Sequence, residues 1–145
     1  MNTIFEGGVT SPKGFLAAGE SCGIKKNGKK DIAIISSIDT AVAAGVFTTN
    51  KVKGHSLQVT MEHIKSGYSR AVVINSGNAN ACIGEQGYKD AVEMATLTAN
   101  LLQCEPEEIL VGSTGVIGVP LNMPSVRAGI RLAVQKLSED GGHDA

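Results

Sequence analysis

Arg70-Ala71-Val72-Val73-Ile74-Asn75 is a short run rich in β-branched residues, and Tyr88 to Cys104 follows it with a different period. The first stretch reads as a buried strand, because stiff branched side chains pack well on a pleated sheet. In the second, Tyr88, Ala91, Val92, Ala95, Ala99 and Leu102 share one face at a spacing of about 3.6 residues, with Lys89, Glu93 and Asn100 elsewhere. That predicts a helix. Asn75 to Gly87 between them reads as a loop. After Pro106, Ile109-Leu110-Val111 reads as the next strand and Gly112-Ser113-Thr114-Gly115 as the loop that leaves it. A second helix is expected from about Met123 to Leu137, capped by Asn122, with Pro124 in its first turn. Its stripe is Val126, Ile130, Ala133, Val134 and Leu137.

Upstream, Phe15 to Ile24 and Asp31 to Ser36 read as strands around Lys25-Lys26-Asn27-Gly28-Lys29-Lys30. The Asn27-Gly28 pair predicts a two-residue type I′ hairpin turn, where both central residues need φ > 0. Ala41 to Thr48 and His55 to Thr60 are further strand candidates, and residues 7–14 read as loop. A group of strands followed by strand, helix, strand and helix makes an α+β layered domain. Ser138 to Ala145 is polar, and the chain reads there as cut in mid-course with no docking element.

Composition narrows the function classes. The 145 residues carry 13 basic and 14 acidic side chains, a net charge of −1, which argues against a polycationic nucleic-acid binder. Aromatics are 3% of the chain, too few for base-stacking platforms. No apolar run reaches the ~18–20 residues of a membrane span. Cys22, Cys82 and Cys104 form no Cys-x-x-Cys pair, so reduced thiols are expected rather than a disulfide or zinc scaffold. Met1 to Glu6 lacks the basic and apolar regions of a leader, and the protein reads as cytoplasmic.

Taken singly, the motifs are weak. Gly23-x-x-x-x-Gly28-Lys29-Lys30 nearly matches a phosphate-binding loop, but Lys30 replaces the Mg²⁺-binding hydroxyl and a strand follows instead of a helix; a solvated turn is the plainer reading. His55, His63 and His143 lack ligand spacing, so surface histidines are expected and no metal site. Asn75-Ser76-Gly77 has no Gly-x-Ser-x-Gly context and reads as a turn. Gly112 to Gly115, at a strand exit, can offer a hydroxyl and backbone N–H groups to one oxyanion, although an ordinary turn is the plainer reading of the spacing.

In order, the motifs are specific. Gly8-Val9-Thr10-Ser11-Pro12-Lys13-Gly14-Phe15, Gly45-Val46-Phe47-Thr48-Thr49-Asn50, Asn75-Ser76-Gly77-Asn78-Ala79-Asn80-Ala81-Cys82 with Gly84-Glu85-Gln86-Gly87, and Ser113-Thr114-Gly115-Val116-Ile117-Gly118 with Pro120 succeed one another. Together they resemble the ornithine acetyltransferase family, also called glutamate N-acetyltransferases, of arginine biosynthesis. The resemblance covers about residues 8–130; Ile83 stands where many members carry Thr.

The resemblance implies a layered αββα-type sandwich shared with self-processing aminopeptidases, present here as an N-terminal portion. Residues 1–145 would then be a single incomplete domain, most of the family α chain. The family's Thr-Thr-Asp segment, substrate-binding Lys and cleavage site are missing. The family precursor cuts itself before a Thr, and this new N-terminal Thr of the β chain takes acetyl from N-acetylornithine and passes it to glutamate. The implied oxyanion pair maps onto Thr114, through its hydroxyl, and Gly115, through its backbone N–H. Gly suits that position because no side chain blocks the acyl group.

No metal or prosthetic group is implied; acetyl-CoA is a further donor in some members. The implied partner is the β chain, in a heterotetramer or larger assembly, with no nucleic acid and no membrane. This chain alone is expected to be inactive, with most substrate contacts on the missing segment and an apolar face for the β chain to cover. The rival enzyme reading is a self-processing aminopeptidase or amidase, which would release acetate without glutamate. A non-catalytic binding domain would instead be a compact monomer without such a face.

Overall fold

The structure, a computed structural model, describes residues 7–145. Met1 to Glu6, read above for leader features, lie outside the described residues. Four strands, β1 (Phe15–Glu20), β2 (Ile32–Val42), β3 (Tyr68–Asn78) and β4 (Ile109–Val116), form one sheet in chain order. Three helices, α1 (His55–His63), α2 (Glu85–Leu102) and α3 (Met123–Gln135), interleave with them. β1 with β2 and β2 with β3 are antiparallel, whereas β4 runs parallel to β3. The parallel pair needs a crossover, and α2 supplies it.

All three helices cover one face of the sheet. Alternation sends Ile32 and Ile34 of β2, Ala71 and Val73 of β3, and Ile109 and Val111 of β4 into the core under them. Ala91, Met94, Ala95 and Ala99 of α2, Val126, Ile130 and Ala133 of α3, and Val59 of α1 fill the other side. Small residues let the backbones approach. A Cβ on Gly129 of α3 would lie 2.7 Å from the Cys22 Cβ. Phe15, Ala33, Ile35, Val72, Ile74 and Leu110 are only partly buried, on the alternate residues of the same strands. Among the described residues no helix covers this second face, and a shallow depression of about 220 Å³ lies there between Phe15, Ile35, Val72 and Leu110. The chain thus presents one helix layer and one sheet layer, an α+β architecture as expected.

Several local expectations fail, each for a physical reason. The β1–β2 connection is a long loop over residues 21–31 instead of a two-residue turn: Gly28 has φ 68°, but Asn27 does not have positive φ. The loop is organised by Asp31, which is 2% exposed and accepts from the Cys22 N–H at 2.7 Å and the Lys25 N–H at 2.8 Å. Side-chain acceptance of backbone donors replaces the turn's own hydrogen bond.

His55 to Thr60 is helix α1, not a strand. Only Ser56 and Val59 of α1 are buried, a three-residue spacing that so short a window conceals. Strand pairing ends at Val42, after an irregularity between Ser36 and Ala41, so Ala43 to Thr48 is not a strand.

The buried arc of α2 is rotated from expectation. Asp90, Met94 and Thr98 are buried, while Val92 is exposed. Asp90 and Thr98 tolerate burial because Gln86 Nε2 donates to Asp90 and the Thr98 hydroxyl donates to the Met94 carbonyl, both at 2.8 Å. On α3, the Asn122 cap is present, its side chain accepting from the Ser125 N–H.

The C-terminal residues dock after all. Ser138 pairs with Ala17 of β1, and Gly141 lies so close that a Cβ there would be 1.8 Å from the Ala17 carbonyl oxygen. Asp144 also pairs with Lys30. Two glycines at a close-packed edge carried that information; polarity alone concealed it.

Candidate functional site

Thr114 and Gly115 occupy the end of β4, not a free loop. The parallel ladder with β3 continues past the core, pairing Asn75 with Ser113, Ser76 with Thr114, Gly77 with Gly115 and Asn78 with Val116. Asn75 to Asn78 are therefore strand, and the turn reading of Asn75-Ser76-Gly77 does not hold. Two glycines make this extension possible. Gly115 has φ 132°, and a Cβ on it would lie 2.3 Å from the Gly77 carbonyl carbon and 2.4 Å from its oxygen. Gly77 has φ 127°, with the Ile24 methyl 2.7 Å from where its Cβ would be. The requirement for Gly at 115 is thus backbone against backbone.

Ile109 and Val111 face the helices, so alternation turns Ser113 to the same side and Thr114 to the uncovered side of the sheet. Thr114, Gly115 and Val116 are exposed, and Ile117 and Val119 continue the exposed rim at 63% and 46%. The rim is pinned by the Ala79 N–H donating to the Val116 carbonyl at 2.8 Å and the Gly118 N–H donating to the Ala81 carbonyl at 2.9 Å.

Under the strand ends lies a polar layer of Ser56, Asn75, Asn80 and Ser113; the last three fall within the ordered motifs, which marked none of them as a site residue. Ser113 donates to Asn75 Oδ1 at 2.5 Å, and its hydroxyl is 2.6 Å from that of Ser56 at the start of α1. Asn80 Nδ2 reaches Ser56 at 3.2 Å and the Gly87 carbonyl of α2 at 2.9 Å. Asn75 and Asn80 are fully buried and Ser56 is 3% exposed. A cavity of about 420 Å³ opens beside this layer between Ser56, Leu57, Ala81, Cys82, Ser113 and Ile117. One signal was available. A polar run such as Asn75 to Asn80, directly after a buried strand, can stay buried when its members satisfy one another. Ser56 was hidden by the strand reading of its segment.

Two histidines depart from the surface expectation. His63 Nδ1 lies 2.7 Å from the Ile109 carbonyl. Both ring nitrogens of His55 are buried with no partner among the described residues, as is Asn80 Oδ1 beside Gly87. His143 is exposed, as expected. No three His, Cys, Asp or Glu side chains among the described residues are grouped to hold a metal ion. Burial and the Asp31 carboxylate push the Cys22 thiol up to about 12, and burial, then Glu108, raises Cys104. Neither is a ready thiolate near neutral pH. Asp31 itself is raised by burial but held below the usual carboxylate range by its combined donors, Lys25 and Cys22 foremost.

Residues 16–145 match the sequence model of the ArgJ family. The chain belongs to the ArgJ family. It is 55% identical over 141 residues to the arginine biosynthesis bifunctional protein ArgJ of Symbiobacterium thermophilum, covering 96% of this chain and 35% of that protein. Against the ArgJ of Caldanaerobacter subterraneus it is 51% identical over 142 residues, covering 98% of this chain and 35% of the relative. The fold superposes on ornithine acetyltransferase from Mycobacterium tuberculosis, solved with ornithine, with TM-score 0.95 and 38% identity, covering 98% of this chain and 78% of that one. The ArgJ of Bacillus halodurans gives TM-score 0.88 at 39% identity, covering 95% and 72%. This ArgJ-family chain therefore spans about a third of the length of the curated relatives it matches.

Proposed function

We propose that this chain is the N-terminal portion of a glutamate N-acetyltransferase that moves acetyl from N-acetylornithine to glutamate. The observation that carries the reading is the likeness to the ornithine-bound acetyltransferase, at TM-score 0.95 and 38% identity. The relatives' role in arginine biosynthesis agrees with it.

In the proposed reaction, a Thr hydroxyl on the C-terminal partner chain attacks the acetyl carbonyl of N-acetylornithine. The C=O pair moves onto oxygen, and Thr114 Oγ–H and Gly115 N–H donate to the oxyanion. The Thr α-amino group takes the hydroxyl proton; as the carbonyl re-forms, the C–N bond breaks, that proton passes to the leaving nitrogen and ornithine departs as the free amine, leaving an acetyl ester on the Thr. The α-amine of glutamate attacks that ester through a second oxyanion in the same place. N-Acetylglutamate departs and the Thr hydroxyl is restored. Donors fixed where charge develops contribute about 2.7–4 kcal/mol each in such sites. Thr114 supports this role by position: it is exposed at a strand end whose backbone is held by the Gly77–Gly115 contact.

The uncovered sheet face supports a partner chain. Val72, Ile74 and Leu110 lie there only partly buried, and a second sheet from the rest of the protein would cover them. The free thiols Cys22, Cys82 and Cys104 fit a reducing cytoplasm. Intact mass spectrometry of the full-length protein, followed by acetyl transfer between the two amino acids, tests the reading. It requires two chains, the second starting at Thr, and transfer that depends on glutamate. An uncut, inactive polypeptide contradicts it, and acetate release without glutamate would make the protein an amidase. A parallel assay with acetyl-CoA reads whether that donor also serves.

A further inference from the structure

We propose that Ser113 is a positioning residue, which holds the Thr114–Gly115 strand end through a directional hydrogen-bond chain anchored on Asn75, Ser56 and Asn80. The inference rests on the oxyanion role proposed for Thr114 and Gly115.

Donor counting sets the direction of the chain. A serine hydroxyl has one proton. That of Ser113 is committed to Asn75 Oδ1 at 2.5 Å, so in the 2.6 Å contact with Ser56 it is Ser56 that donates and Ser113 that accepts. Ser56 in turn accepts from Asn80 Nδ2 at 3.2 Å. The second Nδ2 proton of Asn80 goes to the Gly87 carbonyl at 2.9 Å. At the other end, Asn75 Nδ2 donates to the Asn78 carbonyl at 2.9 Å. Every hydroxyl proton is used once, and the chain runs one way from Asn80, in the loop after β3, through Ser56 of α1 and Ser113 of β4 to Asn75 of β3, with a branch from Asn80 to the Gly87 carbonyl of α2.

The placement gives the chain its purpose. Ser113 immediately precedes Thr114, and Asn78 immediately follows Gly77, the residue paired with Gly115. The chain thus fixes both strands of the site on either side of the glycine contact. It ties them to the N-terminal turns of α1 and α2 and not to solvent. Asn75 and Asn80 are fully buried, so the ends of the chain lie in a low-dielectric setting where such bonds reinforce one another, while Ser113 between them is partly buried. An oxyanion donor gains from being oriented before charge develops, and Ser113 orients the residue that carries it. The hydroxyl of Thr114 lies on the opposite side of the strand, so Ser113 acts through the backbone.

The test uses full-length protein carrying Ser113→Ala, Ser113→Thr, Ser56→Ala, Thr114→Ala and the double variant Ser113→Ala/Thr114→Ala. Ser113→Ala removes the donor and should lower kcat for acetyl transfer by about ten- to a hundredfold, the scale set by small misplacements at reacting centres. KM should stay near wild type, while Tm should fall modestly because the buried Asn75 Oδ1 loses its donor. Ser113→Thr keeps the hydroxyl, and its methyl has room in the neighbouring cavity, so it should restore kcat. Ser56→Ala leaves the Ser113–Asn75 bond and should cost less. In the double variant, the two losses should combine to less than their product, because Ser113 acts on the same donor.

Unchanged kcat in Ser113→Ala, beside a Thr114→Ala that is slowed, overturns the positioning role and leaves the oxyanion reading standing. A Thr114→Ala of normal rate removes the oxyanion reading itself. A kcat that tracks Tm across Ser113→Ala, Ser113→Thr and Ser56→Ala, with no recovery in Ser113→Thr, makes Ser113 merely structural. If Ser113→Ala fails to fold, Ser56→Ala decides, through its kcat at unchanged KM.

Discussion

Replacing Gly115 by Ala should disable the site by pushing two strands apart. The added Cβ would stand 2.3 Å from the Gly77 carbonyl carbon and 2.8 Å from the Asn78 nitrogen, all backbone atoms. Carbon–carbon contacts are comfortable at about 3.5–4.0 Å, so relief requires a local displacement of more than about 1 Å. Neither strand yields freely: β3 is paired with β2 up to Asn75, the Ser76 N–H donates to the Asp31 carbonyl at 2.8 Å, and Gly77 already abuts Ile24. The φ of 132° adds strain of roughly 1–3 kcal/mol for a residue with a side chain. A misplacement of about 1 Å at a reacting centre can cost ~10²-fold. Acetyl transfer by full-length Gly115→Ala should therefore fall about a hundredfold or more, although Ala keeps the N–H.

Gly118→Ala is the internal control. Its φ is also positive, at 78°, but nothing lies within 4 Å of its Cβ position. It should lose stability by about 1 kcal/mol and keep most of its rate. A Gly115→Ala enzyme as active as Gly118→Ala would refute the crowding argument.

Asp31→Asn should destabilise the protein by about 2–3 kcal/mol at pH 7, since the Cys22 and Lys25 N–H groups go to different carboxylate oxygens and the amide turns one of these into an NH2 that faces a donor. The folded-state pKa of Asp31 lies below its ordinary value. Its stabilisation is therefore present above about pH 4, and thermal unfolding should show the wild-type advantage shrinking as pH falls below that. Ile74→Lys, on the open sheet face, should prevent assembly of the full-length protein as read by size-exclusion chromatography. Val92→Lys, on the exposed side of α2, should not; equal assembly by both would mean that no partner covers the sheet.

The legible parts of the fold were those where burial is regular. Val72 to Ile74 alternate in a sheet with one covered face, and α3 carries both its Asn122 cap and a full stripe, so pattern and structure agree. His55 to Thr60 misled because its β-branched residues sit in a short helix with only Ser56 and Val59 buried. The Gly112 to Gly115 segment looked like a loop because its glycines suggest freedom. Here they instead let two backbones touch, which becomes visible only once Gly77 is known to lie opposite. Motif order marked Thr114 and Gly115 as the candidate site. Its buried support was not legible, because Ser56 and Ser113 stand far apart in sequence and meet only in the fold.

The most direct measurement is the single-turnover rate of acetyl transfer from N-acetylornithine in full-length Thr114→Ala and Thr114→Ser, beside wild type. An oxyanion donor requires a fall of about 10²–10³ in the Ala variant and substantial retention by Ser, which keeps the hydroxyl. An Ala variant that transfers acetyl at the wild-type rate would contradict the proposed role of this strand end.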